Sequence, residues 1–188
     1  MKCLKAVLAA LIISALLTPM FSAAAEDGYV GSRPDGGVYV TQTRKHTCTL
    51  ISATMMIRNY ADRIGRDLDD FTEKNVGKTG WSSKGLSHCF SVDGISVTVN
   101  KDIKNAPDKK AYLVNILKKY PEGVVIYDSG APHAIFLFGY DSATDTFYCA
   151  DTIEKNGGKS ITLEESIIKG GSQQAQIDTI DRIWHISR

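Results

Sequence analysis

Beyond residue 25 the chain has no apolar run long enough to cross a membrane, no repeat, no low-complexity segment, and no phosphate loop or nucleotide motif. It also lacks an excess of one charge. With Lys2 and Lys5 set aside, 20 basic residues face 21 acidic ones. A near-neutral chain without charge runs argues against nucleic acid as the main partner, which needs a clustered positive surface. Cysteine is scarce: Cys3, Cys48, Cys89 and Cys149 are the complete set. His46 near Cys48, and His88 beside Cys89, match none of the usual zinc spacings. No metal or other cofactor is therefore expected.

The first 25 residues read as an export signal. Met1, Lys2 and Lys5 form a basic start, Ala6 to Leu17 is almost unbroken apolar, and Ser22-Ala23-Ala24-Ala25 offers a cleavage site before Glu26. Cys3 precedes the apolar stretch, so it does not read as a lipoprotein acylation site. The expectation is a signal peptide over 1–25, cleaved or kept as an anchor, and one domain over 26–188, secreted or extracytoplasmic. That length builds a core without staples. In an oxidising compartment the three remaining cysteines are an odd number. The simplest partition is one functional thiol plus two others, which pair or sit as buried hydrophobes.

From Thr49 to Tyr60 apolar residues nearly surround a helix, which marks it as central and buried; it extends to Ile64 and stops at Gly65. Val38 to Val40 reads as a short β run after a polar arm. Asp67 to Val76 reads as a weaker polar helix or turn, Trp81 to Leu86 as a short helix, and Asp108 to Tyr120 as another with clear helical spacing. Ile95 to Val99 alternates as a strand. The C-terminal half then changes period. Val124 to Tyr127, His133 to Tyr140 and Phe147 to Ala150 read as strands, the last two joined as a hairpin through Asp141 to Asp145. Ile161 to Leu163 and Ile180 to Ile186 complete the strands. Helices first and antiparallel strands after them define an α+β class.

Four residues stand out chemically. Cys48 directly precedes the most apolar helix, where the macrodipole and unsatisfied N–H groups favour a thiolate. Gln42 lies on the preceding loop, six residues earlier, from where its carboxamide reaches back beside the Cys48 backbone N–H. Two such donors suit a tetrahedral oxyanion. His133 opens an apolar strand behind Gly130-Ala131-Pro132, and a packed strand holds an imidazole firmly. Asp151 ends the returning strand of the hairpin, which brings it beside His133, able to fix the ring's tautomer. Alternation puts His133, Ile135 and Leu137 on one face, and Asp151, Cys149 and Phe147 on one face. The triad requires both sets to face the start of the Cys48 helix. Asp128 and Asp141 are the substitutes should the register slip. His185, within an alternating strand, reads as a satisfied edge or core histidine, and Trp81 as packing under a loop.

Gln-x5-Cys at a helix start, followed far downstream by His-strand-turn-strand-Asp, resembles the papain-like cysteine peptidases. It looks closest to the bacterial branch that removes double-glycine leaders from bacteriocins, in which the orienting residue is Asp. The matching stretches are QTRKHTCTLISATMM (42–56), PHAIFLFGYD (132–141) and FYCAD (147–151). Residues 65–122 carry no matching motif. The resemblance implies a papain-like fold, with a central N-terminal helix carrying the cysteine packed on a C-terminal antiparallel sheet. It also implies hydrolysis of peptide bonds in a peptide or protein substrate. Cys48 would be the nucleophile, His133 the base, Asp151 the orienter and Gln42 the oxyanion donor. Such peptidases often have Asp-Cys-Gly where this chain has Thr47-Cys48-Thr49, and the 188 residues include no transporter domain, so the leader-removing role does not transfer. Two other functions share the expected fold: a catalytically inactive papain-like binding protein, and a papain-like amidase or transferase acting on cell-wall amides.

Overall fold

The longest helix forms where the sequence is most continuously apolar. A computed structural model describes residues 28–79, 89–153 and 158–187. In it, helix α1 spans Cys48–Arg63. The N–H of Ile64 returns to Tyr60 and Ala61, and Gly65 leaves the helix at φ 71°, a left-handed conformation that glycine adopts without strain. Apolar residues cover most of its surface, and Leu50, Ile51, Ala53, Met55, Met56 and Ile57 are fully or almost fully buried. Three buried polar residues of α1 find hydrogen-bond partners. Thr54 Oγ1 donates to the Leu50 carbonyl, Ser52 Oγ to the Ala134 carbonyl, and Asn59 Nδ2 to the Glu122 carbonyl and Ser32 Oγ.

Eight strands form one sheet, and every pairing among the described residues is antiparallel. They are β1 Tyr29–Gly31, β2 Phe90–Val92, β3 Ile95–Asn100, β4 Val124–Asp128, β5 His133–Asp141, β6 Thr146–Ala150, β7 Ile161–Thr162 and β8 Ile180–Ile186. The order is β2-β3-β8-β4-β5-β6-β7. Strand β5 is central. It pairs with β4 over His133 to Leu137 and with β1 over Gly139 to Asp141, so the two short strands share one of its edges. Gly123 opens β4 at φ 88°, where a Cβ would fall 2.7 Å from the Leu137 carbonyl oxygen.

Alternation along the strands divides the core in two. Val125, Ala134, Phe136, Phe138, Ala150 and Trp184 pack with α1 on one side. Ile126, Ile135, Leu137, Phe147, Cys149 and Ile183 pack on the other side with α3 (Lys109–Lys119) and α4 (Gln173–Thr179). The protein is α+β, with helices covering both faces of an antiparallel sheet.

The expected helices at 49–64 and 108–120 and the expected strands at 95–99, 124–127, 133–140, 147–150 and 180–186 all form within a few residues of their expected limits. Val38 to Val40 is not a strand. Val38 ends a turn closed by its N–H to the Asp35 carbonyl, and its side chain is buried in the α1 cluster. The polar arm contains β1 instead, because the free edge of β5 past Gly139 takes up Tyr29–Gly31. Asp67 to Val76 splits into a 3-10 turn at Leu68–Asp70 and helix α2 at Glu73–Gly77. Asp67 and Thr72 each cap a separate start by accepting from Asp69 N and Asn75 N. Strand β2 and helix α4 have no counterpart in the sequence reading. The expected helix at 81–86 and the signal at 1–25 lie outside the described residues. No helix among the described residues is long and apolar enough to cross a membrane.

Candidate active site

Cys48 is the first residue of α1, and no side chain caps that end. The Thr47 hydroxyl, which occupies the capping position, donates to the Arg44 carbonyl instead. First-turn N–H groups therefore remain free to face negative charge. The thiol is half-buried, and the His133 side chain, the Ala134 backbone and the Thr49 side chain are the groups close enough to act on its ionisation. Burial pushes the thiol up. The hydrogen bond and charge of His133, helped by Ala134 and Thr49, outweigh that and hold Cys48 below the ordinary thiol range.

The Ser52 hydroxyl explains how the two elements keep register. Ser52 is one helical turn after Cys48 and on the same face. It donates to the carbonyl of Ala134, the residue after His133, at 3.1 Å. One bolt between α1 and β5 thus sets the thiol against the imidazole.

His133 Nε2 lies 2.8 Å from Asp151 Oδ1. With Nε2 engaged by the carboxylate, Nδ1 is the ring nitrogen left for the sulfur. Burial lowers the imidazole pKa, but the hydrogen bonds and charges of Asp151 and Cys48 raise it to about 9. Asp151 is fully buried. Its Oδ1 also accepts from Thr152 N at 2.7 Å, and its Oδ2 accepts from Ile167 N at 2.9 Å. Burial pushes this carboxyl up; His133 and those backbone donors reverse the shift and keep it below the usual carboxylate range. Orienting the ring and capping the turn at Thr152 are therefore done by one carboxylate.

Gln42 meets the end of β6. Its backbone N–H donates to the Thr152 carbonyl at 2.8 Å, and its Oε1 accepts from Thr152 Oγ1 at 3.2 Å. Those bonds commit the amide oxygen and leave the Nε2 hydrogens as donors. Thr43, Arg44 and Lys45 continue the loop, and His46 turns it into α1 at φ 63°.

His133 is hydrogen-bonded to Asp151 and acts on the Cys48 thiol, and Gln42 is tied to the residue after Asp151. The substitutes have other work. Asp128 Oδ1 accepts from Gly130 N and Ala131 N, which shapes the turn leading into His133. Asp141 Oδ1 accepts from Ala143 N in the distal hairpin. One expectation changes. Ile135, Leu137, Cys149 and Phe147 do share a face, but that face belongs to α3 and α4, while α1 packs on the opposite one. His133 and Asp151 lie at the ends of their strands, so the chain to Cys48 closes at the sheet's end and not across its α1 face. Cys149 is a fully buried free thiol, held well above the ordinary thiol range by burial, and Cys89 is an exposed free thiol. His185 Nδ1 lies 3.0 Å from the Ile186 carbonyl oxygen, and its ring stacks on Tyr120 at 4.2 Å.

Sequence reasoning missed Ile167, Ser52 and Ala134 as supports, and the tie from Thr152 to Gln42. These contacts join residues 16 to 110 positions apart, for which a single sequence carries no signal. Compared with family models, curated proteins and solved structures, the chain matches none.

Proposed function

We propose that the protein is a cysteine peptidase of papain-like type, exported through residues 1–25 and acting on a peptide or protein. The observation that carries this reading is the His133–Asp151 hydrogen bond beside the Cys48 thiol, which His133 holds below the ordinary thiol range at the uncapped start of α1. A cysteine-bearing helix packed on an antiparallel sheet, with histidine opening one strand and aspartate just past the end of its neighbour, supports the papain-like assignment.

In the proposed cycle the Cys48 thiolate, paired with the His133 imidazolium, attacks the scissile carbonyl carbon. The carbonyl oxygen becomes an oxyanion and takes hydrogen bonds from the Cys48 backbone N–H and Gln42 Nε2. The His133 proton passes to the departing amine, which leaves a thioester on Cys48. His133, now neutral, takes a proton from water as it attacks the thioester, and the acid product departs with the thiolate restored. Asp151 keeps the ring in place throughout. An amide bond in a cell-wall cross-link would be cleaved by the same steps, an amine again departing.

Alkylation tests the nucleophile. At about pH 5.5 iodoacetamide is expected to modify Cys48 and to leave Cys89 and Cys149 nearly untouched, since an unperturbed thiol has a pKa of about 8.5. Cys48→Ala should fold normally and abolish hydrolysis of a casein or peptide library. Preferential labelling of Cys89, or hydrolysis surviving in Cys48→Ala, would remove Cys48 from the role.

A further inference from the structure

The loop that carries Gln42 is held from two sides, and only one of them belongs to the triad. On the triad side Thr152 binds both the backbone and the carboxamide oxygen of Gln42. On the other side stands Glu73, the first residue of α2, 31 positions further along the chain. Its Oε2 accepts from Thr43 Oγ1 at 2.8 Å, and its Oε1 accepts from Arg44 Nε at 2.9 Å and lies 2.7 Å from the same guanidinium's Nη2. The residue after Gln42 and the one beyond it are therefore both tied to one carboxylate. Arg44 in turn offers its backbone carbonyl to the Thr47 hydroxyl, which immediately precedes Cys48. The Glu73 side chain is 16% exposed and the Arg44 side chain 63%, so the ion pair by itself contributes little, and the clamp depends on one carboxylate holding two consecutive loop residues at once.

An oxyanion donor works when it is held in place before charge develops, because nothing then has to reorganise during reaction. A seven-residue loop with a left-handed non-glycine residue at His46 does not hold itself in one conformation. We propose that Glu73 is a positioning residue that clamps the Thr43–Arg44 segment and so keeps the Gln42 carboxamide and the Cys48 N–H converged on the oxyanion position. This assignment rests on the peptidase reading of the same site. The hydrogen bonds of the Glu73 carboxylate go to Thr43 and Arg44, and it acts through them.

Two electrophiles separate this role from general stability. A peptide aldehyde adds to the thiol to form a hemithioacetal whose oxygen uses the oxyanion donors. Iodoacetamide alkylates the same thiol by displacing iodide and forms no oxyanion. Glu73→Ala is expected to weaken peptide-aldehyde binding by about tenfold, less than the roughly 10²–10³ that follows removal of a donor outright. The rate of Cys48 alkylation and its pH profile should stay within about twofold of the parent. Thr43→Val combined with Arg44→Ala removes the same contacts from the loop side and leaves α2 untouched, so it reports even where Glu73→Ala folds poorly. It should reproduce the selective loss, and adding Glu73→Ala to it should cost nothing more. Unchanged aldehyde binding in both variants, with Gln42→Ala still weakening it, would overturn the role of Glu73. Equal losses with both electrophiles would overturn it too, as the mark of a merely structural contact. Failure of the parent protein to react at Cys48 with either reagent would instead overturn the peptidase reading, and this inference with it.

Discussion

Asp151 carries three duties with one carboxylate: it orients His133, caps the turn at Thr152 and anchors Ile167 N. An amide at this position keeps an acceptor for the ring but loses the charge that supports the imidazolium. Asp151→Asn is therefore expected to retain some hydrolysis of a peptide substrate, with the upper limb of the pH profile moved to lower pH. Asp151→Ala should lose considerably more, because the ring is then also free to turn. Equal activity in both variants would count against the orienting role. On the proposed mechanism the active ion pair of the parent protein needs Cys48 ionised and His133 protonated. Activity should rise through the depressed thiol pKa and fall as His133 loses its proton at about pH 9. Stability follows with opposite signs at the two ends. His133 is raised from 6.5, so its contribution is complete below about pH 6.5 and is lost as pH climbs through about 9. Asp151 is lowered, so its contribution is present above the ordinary aspartate range and is lost as pH falls through its depressed value.

Helix α1 and strand β5 set the site geometry through the Ser52–Ala134 bond at the end nearest Cys48, while apolar packing from Leu50 to Ile57 does the rest. Apolar packing is permissive about small sliding motions, whereas one buried hydrogen bond specifies a single register. Ser52→Ala should lower unfolding stability by about 0.5–1.5 kcal/mol in a denaturant titration. It should also slow Cys48 alkylation at low pH, since the thiol then samples positions away from His133. A stability loss with no change in alkylation would mean that packing alone sets the register. Helix α1 was legible because its apolar residues run all the way round. Strands β4, β5 and β6 were legible because their apolar runs are bounded by turn residues. Strand β1 was not, since Tyr29–Gly31 is strand-like only through the edge of β5 that accepts it. Val38 failed in the opposite sense, being β-prone but buried in a turn against α1.

Across the whole molecule, β5 has helices over both faces and hydrogen-bonded neighbours along both edges. Ala134 to Phe138 are almost completely buried. Strands β2 and β7 stand at the two ends of the sheet order. Amide exchange followed by mass spectrometry should therefore show Ile135 to Leu137 opening only with global unfolding, and β2 and β7 exchanging earliest among the strands. Early exchange in β5 would mean that the site end of the sheet opens locally and that its geometry is not held by the fold.

Local chemistry along the chain was enough for the α+β class, the position of Cys48 at the head of a buried helix, and the hairpin that returns Asp151 to His133. Each of these depends on periodicity, turn residues and chain reversal, which act over short stretches. The face on which α1 packs, the strand-end meeting of Cys48 with His133, the Thr152 tie to Gln42 and the Glu73 clamp depend on contacts between segments from 29 to 110 residues apart. Such contacts exist only once burial has chosen which side of the sheet each helix covers, and that choice belongs to the packed chain as a whole.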